Sequence, residues 1–141
     1  MAENVNYDQF KGLYLLEEQR IASFQNWPFD ESTTCSIAKM AEAGFYWSGN
    51  EREADTVSCF VCAKTLDGWE STDEPWKEHA KHAPQCLFVK YGKNEGELTV
   101  EDFLNIFSDV IQNDMTNKLE KKKKEASIAA RNELNAFIER K

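Results

Sequence analysis

The stretch Cys59-Phe60-Val61-Cys62, followed by His79-Ala80-Lys81-His82 and then by Cys86, decides how this chain folds. A Cys-x2-Cys turn directs two sulfur atoms at one centre, and the later histidine and cysteine return to the same point. Three thiolates and one imidazole complete a tetrahedral zinc shell and leave no place for a coordinated water. The sequence therefore predicts a zinc site that is structural and not catalytic.

Spacing alone leaves the fourth ligand open. His79 and His82 lie three residues apart and would share one face of a helix, so either histidine fits the site. Cys35 offers an all-cysteine alternative, although its Ser/Thr-rich surroundings favour a small buried thiol. A redox Cys-x2-Cys pair is disfavoured, because no βαβ pattern surrounds Cys59 and Cys62.

Length and composition predict one folded domain with an appendage. The chain has 141 residues, of which 41% are hydrophobic and 12% aromatic, which argues against disorder. The first residues lack the pattern of a signal peptide, and no apolar run reaches the length of a membrane span. We therefore expect a soluble intracellular protein, in which four cysteines are thiols or metal ligands.

Charge is divided unevenly along the chain. The formal net charge is −8, and residues 98–141 are neutral, so the whole excess lies within residues 1–97. An acidic surface attracts cationic peptides and repels nucleic acid phosphates. The charge therefore disfavours direct nucleic acid binding by the zinc module.

Local patterns predict an α+β zinc domain with a small three-stranded antiparallel sheet. Apolar spacing, N-cap candidates at Ser32–Thr34 and Pro75 at a first turn predict helices. β-Branched and aromatic runs predict strands. The predicted helices cover 17–24, 36–43 and 75–83, and the predicted strands cover 45–47, 56–61 and 65–66.

The remainder of the chain predicts one long amphipathic helix. No glycine or proline occurs from residue 98 onward, Thr99 is a suitable cap, and apolar residues recur at helical intervals. We divide the chain into an N-terminal arm (1–15), the zinc domain (16–91), a linker (92–97) and the helix (98–141). Because no small domain can cover so long a helix, its stripe predicts a seam for partner helices. The seam residues are Val100, Phe103, Leu104, Phe107, Ile111, Met115 and Leu119.

Over residues 17–91 the motifs resemble the baculovirus inhibitor-of-apoptosis repeat, or BIR domain. The matching motifs are Arg20-x2-Ser23-Phe24-x2-Trp27-Pro28, Ala41-x-Ala43-Gly44-Phe45, Gly68-Trp69 and Cys59-x2-Cys62-x16-His79-x6-Cys86. The resemblance implies one zinc held by Cys59, Cys62, His79 and Cys86, with His82 free. It also implies a buried, hydrogen-bonded Arg20.

The resemblance further implies a groove for a peptide that begins with alanine. Asp67 and Asp73 match the positions that hold the α-ammonium, and Leu66 and Trp69 match the wall around the alanine methyl. Lys64 and His82 match the positions that contact a phosphothreonine in members that read the histone tail Ala-Arg-Thr.

A single repeat followed by a long helix is similar to the family members that serve as subunits of the chromosomal passenger complex. This implies a non-enzymatic mitotic adaptor that joins borealin-like and inner-centromere-protein-like helices, and through them an Aurora-type kinase. It implies localisation at the centromere and other nuclear chromatin, the spindle midzone and the cytoplasm. The alternative is an inhibitor of apoptosis that acts on caspases or on antagonist peptides with an N-terminal alanine.

The sequence departs from that branch at four positions. Thr65 and Thr72 stand where acidic residues are usual, which predicts a weaker grip on the second residue and the amine of the peptide. Gly12 and Glu95 stand where the homodimers of that branch use a tryptophan and a phenylalanine. These two side chains of the homodimer contact are therefore absent from this sequence.

Overall fold

A computed structural model describes residue 10 and residues 12–140. It divides the chain into two units, residues 1–107 and residues 108–141. Within the described residues, no helix combines the length and the apolar character that crossing a membrane requires. The predicted N-terminal arm lies mostly outside the described residues.

The first unit has the predicted α+β architecture. Its strands form one antiparallel sheet in the order β1-β2-β3. The elements in chain order are α1 (Glu17–Ser23), α2 (Ile37–Glu42), β1 (Phe45–Trp47), β2 (Val57–Cys59), β3 (Thr65–Leu66), α3 (Pro75–His82), α4 (Leu87–Tyr91), a 3-10 turn (Glu95–Glu97) and α5 (Val100–Glu139). The second strand is shorter than predicted, because Phe60 and Val61 belong to the turn that follows it. Sequence analysis had not predicted α4.

Strand register brings the first cysteine into the core. Phe45 pairs with Cys59 and Trp47 with Val57 across β1 and β2, and Val57 pairs with Leu66 on β3. Phe45, Val57 and Cys59 are at most 1% exposed. Because alternate residues of a strand share one face, Cys59 lies on the same buried face as Val57.

One predicted helix cap is confirmed by the structure and another is wrong. Thr99 Oγ1 accepts a hydrogen bond from Asp102 N at 3.0 Å, and Asp102 Oδ2 accepts one from Thr99 N at 3.1 Å. This reciprocal cap confirms the predicted start of α5. The predicted cap of α2 at Ser32–Thr34 is wrong, since Ser36 accepts from Lys39 N. Thr34 instead donates its hydroxyl to Ser71 O and Asp73 O.

Arg20 confirms the buried structural role that the resemblance implied. Its side chain donates to the carbonyl oxygens of Tyr14, Leu15 and Ala41 at 3.0, 3.2 and 2.9 Å. The guanidinium carbon also lies 4.3 Å from the centre of the Phe60 ring. Burial lowers the pKa of Arg20 to about 10, so it remains charged at neutral pH.

The linker replaces a missing cap on α1. Leu16 occupies the N-cap position and has no side-chain acceptor, so the first amides of the helix need other partners. Glu95 Oε1 accepts from Glu17 N at 3.2 Å, across 78 residues of sequence. Glu95 thus has an intramolecular role at the position where the resembling homodimers use phenylalanine.

The turn between β2 and β3 contains a residue in an unfavourable backbone conformation. Ala63 has a φ of 62°, in the left-handed region that favours glycine. We predict that Ala63→Gly raises the free energy of unfolding by about 0.5–1 kcal/mol. Ala38→Gly, the same change at an exposed position inside α2, should lower it by a similar amount. Urea unfolding at fixed zinc concentration measures both, and a destabilised Ala63→Gly variant would contradict the strain.

Candidate functional site

The structure brings the side chains of Cys59, Cys62, His79 and Cys86 together. Their ligand atoms all lie within 4.8 Å of one another. Cys59 Sγ lies 3.8 Å from Cys86 Sγ, and Cys62 Sγ lies 3.7 Å from His79 Nε2. Zinc–sulfur bonds of ~2.3 Å at tetrahedral angles place two sulfurs about 3.8 Å apart. The four residues therefore fit one tetrahedral zinc ion.

Each ligand is positioned by a different element. Cys59 ends β2, Cys62 lies in the following turn, His79 lies on α3 and Cys86 caps α4. Val61 N donates to Cys59 Sγ at 3.3 Å, which orients the sulfur. His79 donates its Nδ1 proton to Ala43 O at 2.8 Å, so that Nε2 faces the cysteines. A hydrogen bond of this kind fixes the tautomer that a metal requires.

Burial and hydrogen bonds within the cluster shift the pKa values of its thiols in opposite directions. Hydrogen bonds from Cys59 and Cys62 hold the pKa of Cys86 far below its usual range. Burial raises the pKa of Cys59, and its sulfur neighbours add to that effect.

The two alternative ligands lie outside the cluster. Cys35 is fully buried and its thiol donates to Glu70 O at 3.3 Å, so it is a small core thiol. His82 is exposed, and its Nε2 lies 3.4 Å from Glu78 Oε2. The structure thus favours His79 over His82 at the open fourth position.

A second feature is an acidic groove beside β3 and α3, with a cavity of about 170 Å³. It is lined by Leu66, Asp67, Gly68, Trp69, Asp73, Glu78 and His82. Five of the six predicted groove residues therefore meet in one place. Lys64 does not belong to this lining and is exposed at the turn before β3.

Hydrogen bonds to two carboxylates hold the groove in shape. Asp55 Oδ2 accepts from Gly68 N at 2.8 Å and from Trp69 N at 3.2 Å. Asp73 Oδ2 accepts from Glu70 N at 2.8 Å. Asp73 therefore orders its own loop, whereas Asp67 has no hydrogen-bond or ion-pair partner among the described residues.

Trp69 belongs to both the core and the groove. It is 7% exposed and packs edge-on against Phe45, with ring centres 5.7 Å apart. Within the described part of the chain, its buried indole N–H has no hydrogen-bond acceptor. Trp69 therefore packs in the core and also lines the groove.

Sequence reasoning missed Glu78, which lines the groove, and Asp55, which binds the amides of Gly68 and Trp69 in its wall. Asp55 is distant in sequence and acts through backbone amides, which no motif reveals. Glu78 lies four residues before His82 on a predicted helix, and that i,i+4 spacing was an available signal.

The helix seam needs correction. We expected Phe103 and Phe107 to be exposed, but both are half-buried in the first unit. They line a groove together with residues that lie just before α1 or in its first turn. Phe10 stacks edge-on against Phe107, with ring centres 5.7 Å apart. This arm groove measures about 370 Å³ and is lined by Phe10, Leu15, Leu16, Gln19, Phe103 and Phe107.

The other seam residues differ in exposure. Ile106, absent from the predicted seam, is 1% exposed and belongs to the core. Ile111 is half-buried. Four seam residues are exposed as predicted, namely Val100, Leu104, Met115 and Leu119.

The chain is similar in sequence to one protein family and to several known proteins. The family model described as "BIR: Inhibitor of Apoptosis domain" matches residues 20–90. Baculoviral IAP repeat-containing protein 5 of Mus musculus is 42% identical over 116 residues, 82% of this chain and 83% of the mouse protein. The Rattus norvegicus protein of the same name is 43% identical over 110 residues, 78% of each chain. A crystal structure of DIAP1 BIR1 bound to a Grim peptide is 29% identical, with a TM-score of 0.48, over 55% of this chain and 74% of that chain.

We predict that the fold depends on metal at this centre. Elemental analysis should find one zinc per chain, and chelation should unfold the first unit, because metal binding contributes to folding free energy in small domains. His79→Ala should prevent soluble folding. His82→Ala, which removes an exposed histidine from the same helix, should leave zinc content unchanged. A wild-type protein that is folded without metal would contradict the prediction.

Proposed function

The chain belongs to the BIR family, and we propose that it is a non-catalytic adaptor of the chromosomal passenger complex. The proposal rests on its similarity to Baculoviral IAP repeat-containing protein 5. In this role the zinc module reads the N-terminal tail of a histone, and α5 binds scaffold helices. Zinc is held by Cys59, Cys62, His79 and Cys86 and stabilises the module. Centromeric chromatin and the spindle midzone are the corresponding proposed locations.

The acidic groove is the observation that carries this proposal. Asp67, Asp73 and Glu78 place three carboxylates around a small cavity that Leu66 and Trp69 line on the apolar side. A free α-ammonium attached to a small side chain matches that combination of charge and size. Asp67 is the best candidate for the ammonium contact, because its carboxylate has no other partner among the described residues.

Phosphate recognition rests on fewer contacts. His82 lies in the groove lining but also faces Glu78, and Lys64 lies outside the lining. For a phosphothreonine at the third position, Lys64 would have to extend toward His82. Thr65 and Thr72 add no carboxylate for an arginine at the second position. We therefore propose that the amine is the principal determinant of binding and the phosphate a smaller one.

The metal centre and the groove share one helix. His79 of α3 points to the zinc ligands, while Glu78 and His82 of the same helix line the groove. α3 has eight residues, and its His79 is buried and hydrogen-bonded to Ala43 O. Zinc thus supports peptide binding without contacting the peptide.

We propose that α5 joins borealin-like and inner-centromere-protein-like helices, and thereby an Aurora-type kinase. Met115 and Leu119 support this role, because they are 64% and 53% exposed on the predicted seam. A helix that exposes such side chains is suited to docking against other helices.

Peptide titration tests the groove. Four Ala-Arg-Thr peptides, with and without phosphate and with free or acetylated amines, separate the two contributions. A charge-assisted hydrogen bond contributes roughly 1.5–3 kcal/mol, so Asp67→Asn or acetylation should weaken binding about ten- to a hundredfold. Glu51→Gln, an exposed carboxylate outside the groove, is the matched control. Lys64→Ala or His82→Ala should reduce the preference for phosphate.

The outcome also distinguishes the adaptor from the alternative function. Equal affinity for all four peptides would refute the histone-reading proposal. Strong dependence on the free amine without dependence on phosphate would favour antagonist peptides of apoptosis as ligands. That alternative gains support from the position of Lys64 outside the groove lining.

Substitution on α5 tests the scaffold interaction. Met115→Glu with Leu119→Glu should abolish co-purification with both scaffold helices, because it buries charge in an apolar contact. Zinc content should stay at the wild-type value. Thr116→Glu with Asn117→Glu adds the same charge beside the seam and should be tolerated. Retention of both scaffolds by the first variant would place the seam elsewhere.

A further inference from the structure

The Ser/Thr-rich segment before α2, residues 32–35, lies against the loop that carries one of the groove carboxylates. That loop, residues 70–73, is called the groove loop below, and the earlier stretch is called the Thr34 segment. Its hydroxyls were predicted to cap α2, but Ser36 does so. The Thr34 hydroxyl is bonded instead to carbonyl oxygens 37 and 39 residues further along the chain. The segment therefore contacts the groove loop over a long sequence distance.

Three carbonyl oxygens of the groove loop accept hydrogen bonds from this segment. The proton of Thr34 Oγ1 is shared between Ser71 O at 3.0 Å and Asp73 O at 2.7 Å. Thr34 N also donates to Ser71 O, at 3.4 Å. The thiol of Cys35 donates to Glu70 O at 3.3 Å. Two adjacent residues thus hold the groove loop at three points.

The Thr34 segment is itself fixed to the core. Cys35 is fully buried, and its carbonyl oxygen accepts a hydrogen bond from Trp27 Nε1 at 2.9 Å. The next residue, Ser36, caps α2. The groove loop, by contrast, lies outside the helices and strands. The groove loop therefore takes its position from the segment that contacts it.

Bonds inside the groove loop fix its shape but not its place. Asp73 N donates to Glu70 O at 3.0 Å, and Asp73 Oδ2 accepts from Glu70 N at 2.8 Å. Neither bond reaches the groove wall that Leu66 and Trp69 form. The Thr34 hydroxyl contacts the carbonyl oxygen of Asp73 itself, so it acts at the end of the loop that carries the carboxylate.

We propose that Thr34 is the positioning residue of the amine site in the acidic groove. Its hydroxyl keeps the Asp73 carboxylate beside those of Asp67 and Glu78, so that all three surround one α-ammonium. The inference rests on the proposed reading of a peptide with a free N-terminal amine. Thr34 lies outside the groove lining and acts only through Asp73. Because hydrogen bonds to charged groups depend steeply on geometry, a displaced carboxylate weakens the amine contact more than the apolar contact of the alanine methyl.

Peptide titration of the full-length zinc-loaded chain tests this role. The measured quantity is the ratio of the Kd for an acetylated Ala-Arg-Thr peptide to the Kd for the same peptide with a free amine. Thr34→Val removes the hydroxyl and keeps the branched shape. It should lower the ratio about fivefold, the effect of one neutral hydrogen bond. Thr34→Ser keeps the hydroxyl and should restore the ratio to within about twofold.

The neighbouring threonine provides the matched control. Thr33 Oγ1 donates to Asp30 O at 2.8 Å, within its own turn. Thr33→Val therefore removes an equivalent hydroxyl without touching the groove loop, and it should leave the ratio unchanged. A merely structural role for Thr34 would weaken the binding of both peptides equally, which also leaves the ratio unchanged.

Amide hydrogen exchange measures the hold on the groove loop without any peptide. The amides of Glu70 and Asp73 close the loop, so they should exchange about fivefold faster in Thr34→Val than in the wild-type chain. Thr34→Ser and Thr33→Val should keep the wild-type rates.

The two measurements separate the possible results. A lower ratio with faster exchange in Thr34→Val, both restored by Thr34→Ser, supports the positioning role. Unchanged exchange overturns it, and so does a high wild-type ratio that Thr34→Val does not lower. A wild-type ratio near one refutes the proposed amine site itself, and the positioning role with it. Failure of the inference alone is therefore distinguishable from failure of the proposed function.

Discussion

The convergence of three thiols and one imidazole is the constraint on which the first unit depends. The four side chains come from β2, the turn after it, α3 and the start of α4, so one centre joins elements spread over 28 residues of sequence. The strands have two or three residues each, which is too short for a sheet to be stable alone. A metal ion held by these four side chains would supplement the small hydrophobic core of the domain.

Arg20 provides the second fixed point, by hydrogen bonding instead of coordination. It donates to carbonyls before α1 and at the end of α2, and its guanidinium lies over Phe60 beside the metal turn. Gly44 allows the ring of Phe88, which packs against Phe60, to lie close to the backbone. It has a φ of 96°, and a β-carbon there would lie 2.8 Å from Phe88. The four-ligand cluster thus joins β2 to α3 and α4, and the hydrogen bonds of Arg20 join the segment before α1 to α2.

The metal ligands and the sheet could be predicted from the sequence, because both depend on local rules. Ligand spacing, β-branched runs and Pro75 at a helix start each report on a few neighbouring residues. Two contacts could not be predicted, because their partners are distant along the chain. They are the cap of α1 by Glu95 and the hydrogen bond from Gly68 to Asp55. The seam of α5 could be predicted only in part. Periodicity showed which residues share a face of α5, but it could not show that Phe10 packs against Phe107.

The division of α3 into faces has a consequence for how such modules diverge. Pro75 and His79 are buried, whereas Glu78 and His82 line the groove and Lys77 and Lys81 are exposed. A helix anchored by its buried side can exchange its groove-lining residues at little cost in stability. New ligand preferences can then arise by one or two substitutions while the scaffold stays constant.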